Sequence, residues 1–347
     1  MNDSATLWWD TPTGCIHYIE QTLLPGEYRI VGCRTVERLA EAIRRLEIRG
    51  APALGVAGGY GVALAAATAD DGTRERFMEE VERAAGILRA TRPTAINLGW
   101  GIDRVLLAMS RAPDTVSAKE IALAEAEAIA LEDTACCHAI GEHGTRLLPD
   151  SCTVLTHCNA GALACSSWGT ALGVIRSAVN AGKDVKVIAC ETRPLLQGAR
   201  LTAWELVRDG IDVTVITDST AAYLMRVGAI DAVIVGADRI TRDAVFNKIG
   251  TYMHAVCAKY HGIPFYVAAP CSTFDPENTA RDVIIEERGR EELSVMGNRT
   301  FIPPGAQVKN YAFDATPMEL VSAVITERGV LYPPIDSGSV ATPKQRP

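Results

Sequence analysis

Residues 153–168 read TVLTHCNAGALACSSW, and the rest of the chain can be laid out around them. Thr153, Val154 and Leu155 are β-branched or aliphatic and predict a short buried strand. That strand ends at Thr156-His157-Cys158-Asn159, after which Ala160-Gly161 is expected to turn the chain into a helix of small residues. In open α/β sheets ligands bind at the carboxyl ends of strands, where the following helix aims its N-terminus. A thiol, an amide and free backbone N–H groups would then arrive together where chemistry is commonly done. A cysteine in such a run can equally be a small buried hydrophobe, so Cys158 needs support from the rest of the chain.

From Pro149-Asp150 onward, short apolar runs alternate with amphipathic ones. Strands are predicted at Thr153–Thr156, Val185–Cys190, Asp212–Ile216, Ala232–Val235, Phe265–Ala269 and Phe301–Ile302. Helices are predicted at Trp168–Ala181, Gly198–Asp209, Ser219–Val227, Thr251–Tyr260 and Met318–Arg328. Such alternation implies an α/β domain over 149–333: a Rossmann-like, mostly parallel sheet with helices on both faces. The polar tail, 334–347, is expected to fray.

Residues 1–148 read as a smaller, mainly helical domain. Leu7–Tyr28 predicts a β-hairpin, with turns at Pro12–Gly14 and Pro25-Gly26. Thr35 opens a helix whose apolar face is Val36, Leu39, Ala40, Ile43 and Leu46. Further helices are predicted after Arg49-Gly50-Ala51-Pro52 and at Arg74–Thr91, Ala95–Met109 and Ser117–Leu147. The uncharged stretch Ala51–Ala69 imitates a membrane span. It is mostly Ala and Gly, with few of the residues that drive insertion, so a buried helix packed through glycines is expected and no membrane partner.

The chain has 347 residues, with 34 Lys and Arg against 42 Asp and Glu, a net charge of −8. An acidic protein is a poor binder of nucleic acid, and any anion must be met by a few local cations. The ten cysteines include no C-x-x-C pair, which argues against a zinc knuckle and for reduced, cytoplasmic thiols. The first residues, MNDSATLWWD, have neither the basic nor the apolar part expected of a signal peptide.

Five stretches besides Cys158 carry chemistry. Arg49-Gly50-Ala51-Pro52 sets a guanidinium beside backbone N–H groups at a helix start, which is either an anion seat or an ordinary turn with a solvated arginine. The glycines that follow do not spell G-x-G-x-x-G after a strand, so no dinucleotide is implied. Arg92-Pro93-Thr94 is a second such turn, with Thr94 a candidate N-cap. After the strand ending at Cys190, Glu191, Arg193 and Gln197 can face one crevice, or Glu191 and Arg193 can simply pair. The apolar strand Ala232–Val235 ends in Gly236-Ala237-Asp238-Arg239, where desolvation would favour a protonated Asp238; an N-cap or an ion pair with Arg239 is the plainer alternative. Asn247-Lys248-Ile249-Gly250-Thr251 then opens a helix, with the lysine in reach of a phosphate. Together these describe a phosphate-bearing small molecule in a crevice, with no nucleotide or metal motif. Proton or hydrogen relocation on a sugar phosphate by side chains alone fits that set.

Several motifs resemble the methylthioribose-1-phosphate isomerase family: IRGAPALGVAGG (48–59), RPTAINLGW (92–100), LTHCNAGALA (155–164), ETRPLLQGARLTAWEL (191–206), VGADRI (235–240), NKIGTY (247–252) and FYVAAP (265–270). IEERGREEL (285–293) and AFDATPMELVSAVITERGV (312–330) are similar too, so the resemblance covers nearly the whole chain. The wider family holds ribose-1,5-bisphosphate isomerases and the alpha, beta and delta regulatory subunits of a translation-initiation exchange factor. The resemblance implies a cytoplasmic homodimer without cofactor or metal. It also implies an aldose–ketose isomerase of methionine salvage, acting on 5-methylthioribose 1-phosphate by acid-assisted ring opening and hydrogen transfer from C2 to C1. Carried over by motif, Cys158 and Asp238 are the catalytic pair, and Arg49, Gly50, Ala51, Arg92, Gln197, Asn247 and Lys248 hold the substrate. Between VGADRI and NKIG the family pattern has a Gly-containing insert, whereas Thr241–Phe246 is shorter and lacks the glycine. That departure leaves the C5 substituent open, with 5-deoxyribose 1-phosphate, ribose 1,5-bisphosphate or a non-catalytic sensing subunit as alternatives.

Overall fold

In the computed structural model, which describes residues 5–70, 72–93, 95–297 and 299–335, contacts divide the chain into two units. The first comprises residues up to His138 together with Gly161–Gly169, and the second comprises Ala139–Ala160 and residues from Thr170 on. The division falls inside a long helix, a few residues before the compositional change at 148–149. Thr94 and residues 336–347 lie outside the described residues.

The first unit begins with an antiparallel sheet, β1 (Leu7–Asp10), β2 (Cys15–Ile19) and β3 (Ile30–Cys33), in that order. The predicted hairpin is β1–β2, and β3 is an addition that its four residues were too short to announce. Five helices follow: α1 (Val36–Arg44), α2 (Ala51–Thr68), α3 (Arg74–Arg89), α4 (Ile96–Ser110) and α5 (Thr115–Thr145). Thr35 caps α1 by accepting from the Arg38 backbone N–H at 3.2 Å, and Val36, Leu39, Ala40 and Ile43 are buried as predicted. Leu46 lies beyond the helix, at φ 61°.

Helix α2 is apolar on every side and buried through most of its length, as a core helix must be. Its glycines let α4 approach to backbone contact. A Cβ on Gly101 would stand 2.0 Å from the Gly55 carbonyl oxygen, and one on Gly58 would stand 2.7 Å from that of Leu98. Gly101→Ala should therefore push the two helices apart and cost about 1–3 kcal/mol or more. A lowered thermal midpoint with the native fold retained is the expected readout; an unchanged midpoint would contradict the close approach.

The second unit is built on a seven-stranded sheet. In chain order its elements are β4 (Ser151–Thr156), α6 (Ala171–Asn180), β5 (Asp184–Cys190), α7 (Ala203–Arg208), β6 (Val213–Ile216), α8 (Thr220–Arg226) and β7 (Ala232–Val235). Then come β8 (Arg239–Thr241), β9 (Ala244–Lys248), α9 (Thr251–His261), β10 (Phe265–Ala268), β11 (Phe274–Asp275), α10 (Arg290–Ser294), β12 (Val295–Met296) and β13 (Arg299–Thr300). The last strands are β14 (Phe313–Pro317), β15 (Ala323–Thr326) and β16 (Gly329–Leu331). The main sheet runs β16-β15-β10-β7-β4-β5-β6, parallel throughout except for β16. The chain thus moves outward from β4 through β5 and β6, then returns to the other side of β4 with β7. That reversal is the topological switch point of a Rossmann-like sheet. A smaller sheet, β11-β8-β9-β14, flanks it in sequence.

Three predicted elements are corrected. Met318–Arg328 is not a helix: a short 3-10 turn, Met318–Leu320, leads into β15, whose four residues are all buried. The β-branched Val324, Ile325 and Thr326 suit a central parallel strand better than the helical spacing that predicted them. Phe301–Ile302 is not a strand, because Phe301 is exposed and Pro303-Pro304 follow directly. Finally, Ala160-Gly161 does not open a helix. The chain makes a 3-10 turn at Ala162–Ala164, closes a bridge between Gly161 and Gly169, and only then enters α6.

Candidate active site

The switch point decides what meets at the sheet's carboxyl edge. Strands β4 and β7 pair in parallel, with Val154 opposite Ala232 and Leu155 opposite Val233. Cys158 follows β4 by two residues and Asp238 follows β7 by three. The two connecting loops touch. A Cβ on Gly236 would lie 2.7 Å from the Ala160 Cβ, so only glycine fits there. On the other flank of β4, strand β5 ends at Cys190 and leads into the Glu191–Gln197 turn.

Cys158 is held in a left-handed backbone conformation, φ 65°, which a residue with a Cβ rarely adopts. Its N–H donates to Thr192 Oγ1 at 2.8 Å, and its carbonyl accepts from Thr202 Oγ1 at 2.7 Å. Thr192 is itself at φ 67°, fixed by its own N–H and that of Arg193, which donate to the two oxygens of Asp218 at 2.8 and 2.7 Å. Two such residues cost about 1–3 kcal/mol each. The surroundings, not local preference, therefore aim the thiol.

Asn159 anchors the next position. Its Nδ2 donates to Glu205 Oε1 at 2.8 Å and to Thr202 Oγ1 at 3.2 Å. The other oxygen of Glu205, with Asp209, holds the buried Arg176 guanidinium at 2.8 and 2.6 Å. Glu205→Ala would leave the Arg176 charge half-compensated and the Asn159 amide without its carboxylate. A loss of about 3 kcal/mol or more in urea unfolding is expected, and a loss well under that would mean the network matters little.

Gln197 lies in the turn after β5, buried, and its Oε1 has no hydrogen-bond partner among the described residues. An orphaned buried acceptor costs free energy unless a ligand satisfies it. Gly198 lets that turn close: a Cβ there would fall 1.8 Å from the Cys190 carbonyl oxygen. Of the two readings of Glu191 and Arg193, the ion pair is not found among the described residues: Arg193 donates to the carbonyls of Pro194 and Leu293. Asp238 is half-buried and its N–H donates to the Phe246 carbonyl at 2.9 Å, while Arg239 pairs with Asp275 at 3.4 Å.

Asn247 and Lys248 do not open a helix; both are buried in β9. Helix α9 starts after Gly250, at φ 103°. Lys248 Nζ donates to the Ala312 carbonyl at 2.9 Å and lies 4.7 Å over the Phe313 ring; Asn247 Nδ2 donates to Thr251 Oγ1 at 3.0 Å. The anion position at the N-terminus of α9 is already filled. Asp314 accepts from the N–H groups of Gly250 and Tyr252 at 2.7 and 3.1 Å, and burial pushes its carboxyl up to about 6.

In the first unit, Gly50 is the N-cap residue of α2 at φ 95°, with Ala51 the first helical residue and no side chain capping the turn. The first turn carries no acidic residue, which leaves a positive helix end beside the half-buried Arg49. A Cβ on Gly50 would meet the Ala164 Cα at 2.5 Å. Arg92, also half-buried, precedes α4. Of the residues singled out in the sequence, Cys158, Gln197, Asp238, Asn247 and Lys248 thus belong to the second unit, and Arg49, Gly50, Ala51 and Arg92 to the first. Thr192, Thr202 and Glu205 lie inside the ETRPLLQGARLTAWEL motif but were not singled out, and Asp218 was missed with no motif to point to it.

Residues 47–333 match the initiation factor 2 subunit family. The chain belongs to that family. A methylthioribose-1-phosphate isomerase from Desulforamulus reducens is 50% identical over 335 residues, covering 95% of this chain and 96% of the relative. A 5-deoxyribose 1-phosphate isomerase from Moorella thermoacetica is 53% identical, covering 92% and 93%. Among solved structures, a 5-methylthioribose 1-phosphate isomerase from Pyrococcus horikoshii superimposes with a TM-score of 0.88 at 43% identity, covering 95% and 93%. A structure described as translation initiation factor eIF-2B, subunit delta, from A. fulgidus gives 0.86 at 54%, covering 98% of each chain. Members of the initiation factor 2 subunit family thus include both enzymes and proteins named as translation factors, so the site chemistry must separate them.

Proposed function

We propose that the chain is an aldose–ketose isomerase that converts 5-methylthioribose 1-phosphate to 5-methylthioribulose 1-phosphate. The observation that carries this reading is the placement of a strained, half-buried Cys158 two residues after β4 and of Asp238 three residues after the adjacent β7. The isomerases of 43–50% identity supply the substrate. Because phosphate blocks its C1 oxygen, the substrate ring cannot open to an aldehyde unaided. Asp238, as the neutral acid, protonates the ring oxygen as the C1–O bond breaks. The C2 hydrogen then passes to C1, and the C2 hydroxyl loses its proton to become the ketone. Either Cys158 as thiolate removes the C2 proton to give an enediol, exchanges it with solvent and delivers a proton to C1, or the hydrogen moves as a hydride beside the thiol. In heavy water the first route places deuterium at C1 and the second leaves it out. Arg49, Gly50, Ala51 and Arg92 supply the phosphate contacts in this reading, and Gln197, Asn247 and Lys248 the hydroxyl contacts. The active form is a cytoplasmic homodimer whose chemistry is carried by side chains.

A second reading, isomerisation of 5-deoxyribose 1-phosphate, draws on the 53% identity with the Moorella enzyme. The short β8–β9 connection, where the family's insert is reduced, is the place for a different C5 group. Comparing kcat/KM on 5-methylthioribose, 5-deoxyribose and ribose-5-phosphate forms of the 1-phosphate ranks the three sugars. A preference for the methylthio sugar is expected. A preference for another sugar would reassign the substrate, and no ketose from any of them would leave a sensing subunit.

A further inference from the structure

The ends of β4 and β5 and the first turn of α9 bring together a group of side chains for which the proposed reaction has no use. His157 follows β4, Cys190 is the last residue of β5, and His254 lies in the first turn of α9; each is at most 1% exposed. Their ligand atoms, the Nδ1 of His157, the Sγ of Cys190 and the Nε2 of His254, all lie within 4.8 Å of one another. We propose that His157, Cys190 and His254 bind one zinc-type divalent ion.

Counting protons leads there. His157 Nε2 is 2.8 Å from the Ile249 carbonyl, which can only accept, so Nε2 carries the hydrogen and Nδ1 presents a bare lone pair. His254 Nε2 stands 3.3 Å from that Nδ1 and 3.6 Å from the Cys190 sulfur. If Nε2 is protonated and donates to His157, it cannot accept the thiol hydrogen. If it accepts from the thiol, two nitrogen lone pairs face each other. Either way one contact among these three atoms goes unmade in dry surroundings, where that is costly. A cation between them satisfies all three.

The spacing agrees. Tetrahedral zinc, with bonds of about 2.0–2.1 Å to nitrogen and about 2.3 Å to sulfur, has edges of about 3.3 Å between nitrogens and about 3.6 Å between nitrogen and sulfur. The Ile249 carbonyl behind His157 is the outer contact that a metal-bound imidazole needs. Asp218 stands outside this close group: its Oδ1 lies 3.8 Å from His157 Nδ1, and its two oxygens accept from the Thr192 and Arg193 N–H groups. Two imidazoles and a thiolate suit Zn2+ or Co2+ and not Mg2+ or Ca2+. With solvent completing the shell, the ion would tie the ends of β4 and β5 to α9, and Cys190 would release its proton on binding.

The test uses the full chain, stripped with a chelator and titrated with Co2+. About one ion per chain is expected, with tetrahedral d–d absorption and a thiolate-to-cobalt charge-transfer band, both displaced by Zn2+. Cys190→Ser should remove the charge-transfer band. Cys137→Ser should keep it, a necessary control because Asp133, Cys137 and Cys165 form another close group in the first unit. X-ray absorption of the zinc-loaded unmutated chain reads the same question without any variant, and one sulfur among the ligands is expected. No cobalt binding, a band that survives Cys190→Ser, or a shell with no sulfur or with two would each overturn the proposal. The isomerase assignment stands or falls separately.

Discussion

Cys158→Ser should lower turnover of 5-methylthioribose 1-phosphate by about 10²–10⁴-fold while moving the thermal midpoint little. The reasoning starts from what holds the residue. Both bonds that fix its φ of 65°, from its N–H to the Thr192 hydroxyl and from the Thr202 hydroxyl to its carbonyl, use only the backbone of Cys158 and not its thiol. Serine keeps those bonds and nearly the same shape, so the loop geometry survives. What changes is the atom. A free thiol ionises near pH 8.5 and its thiolate is polarizable, whereas a hydroxyl stays protonated throughout the working range. If Cys158 takes the C2 proton, serine has no base to offer. If it stabilises charge during a hydride shift, the harder oxygen does so less well. The check is kcat by ketose formation alongside a melting curve. A serine variant with near-wild-type kcat would remove the thiol from the reaction, whatever the fold resembles.

Much of this was legible in the sequence, and the failures have physical causes. The parallel strands β4, β5, β6, β7 and β10 announced themselves because strands buried on both faces are continuous apolar runs bounded by turns. At the C-terminal end the same rule was misapplied. Met318 to Arg328 has helical spacing, yet Val324, Ile325 and Thr326 fill the last parallel position of the sheet. The site was legible where chemistry sits in a motif and illegible where it rests on support. Thr192, Thr202 and Asp218 reach Cys158 or its neighbours from other strand ends, a juxtaposition no spacing rule records. The strand that carries Lys248 was missed for the opposite reason. An Asn-Lys-x-Gly-Thr run looks like a helix start with a free cation, but β9 continues through the lysine and Asp314, distant in sequence, takes the helix end.

Asp238→Asn should cost turnover about as much as the cysteine change, about 10²–10⁴-fold, with KM nearly unchanged. The Asp238 N–H bond to Phe246 and the close approach of Gly236 to Ala160 set the loop from the backbone, so the amide should occupy the same place. Asparagine still donates a hydrogen bond to the ring oxygen, but it cannot hand over the proton as the C1–O bond breaks. The loss should therefore appear in kcat, where an interaction made only in the transition state belongs. A variant that raised KM at constant kcat would instead make Asp238 a binding residue. The double variant sharpens the test. Ring opening and hydrogen transfer are serial steps on one bound molecule, and residues that act as a unit are strongly non-additive. Removing both groups should then be little worse than removing either. Fully multiplicative losses would mean that the thiol and the carboxyl contribute independently, and the pairing of Cys158 with Asp238 across β4 and β7 would lose its mechanistic meaning.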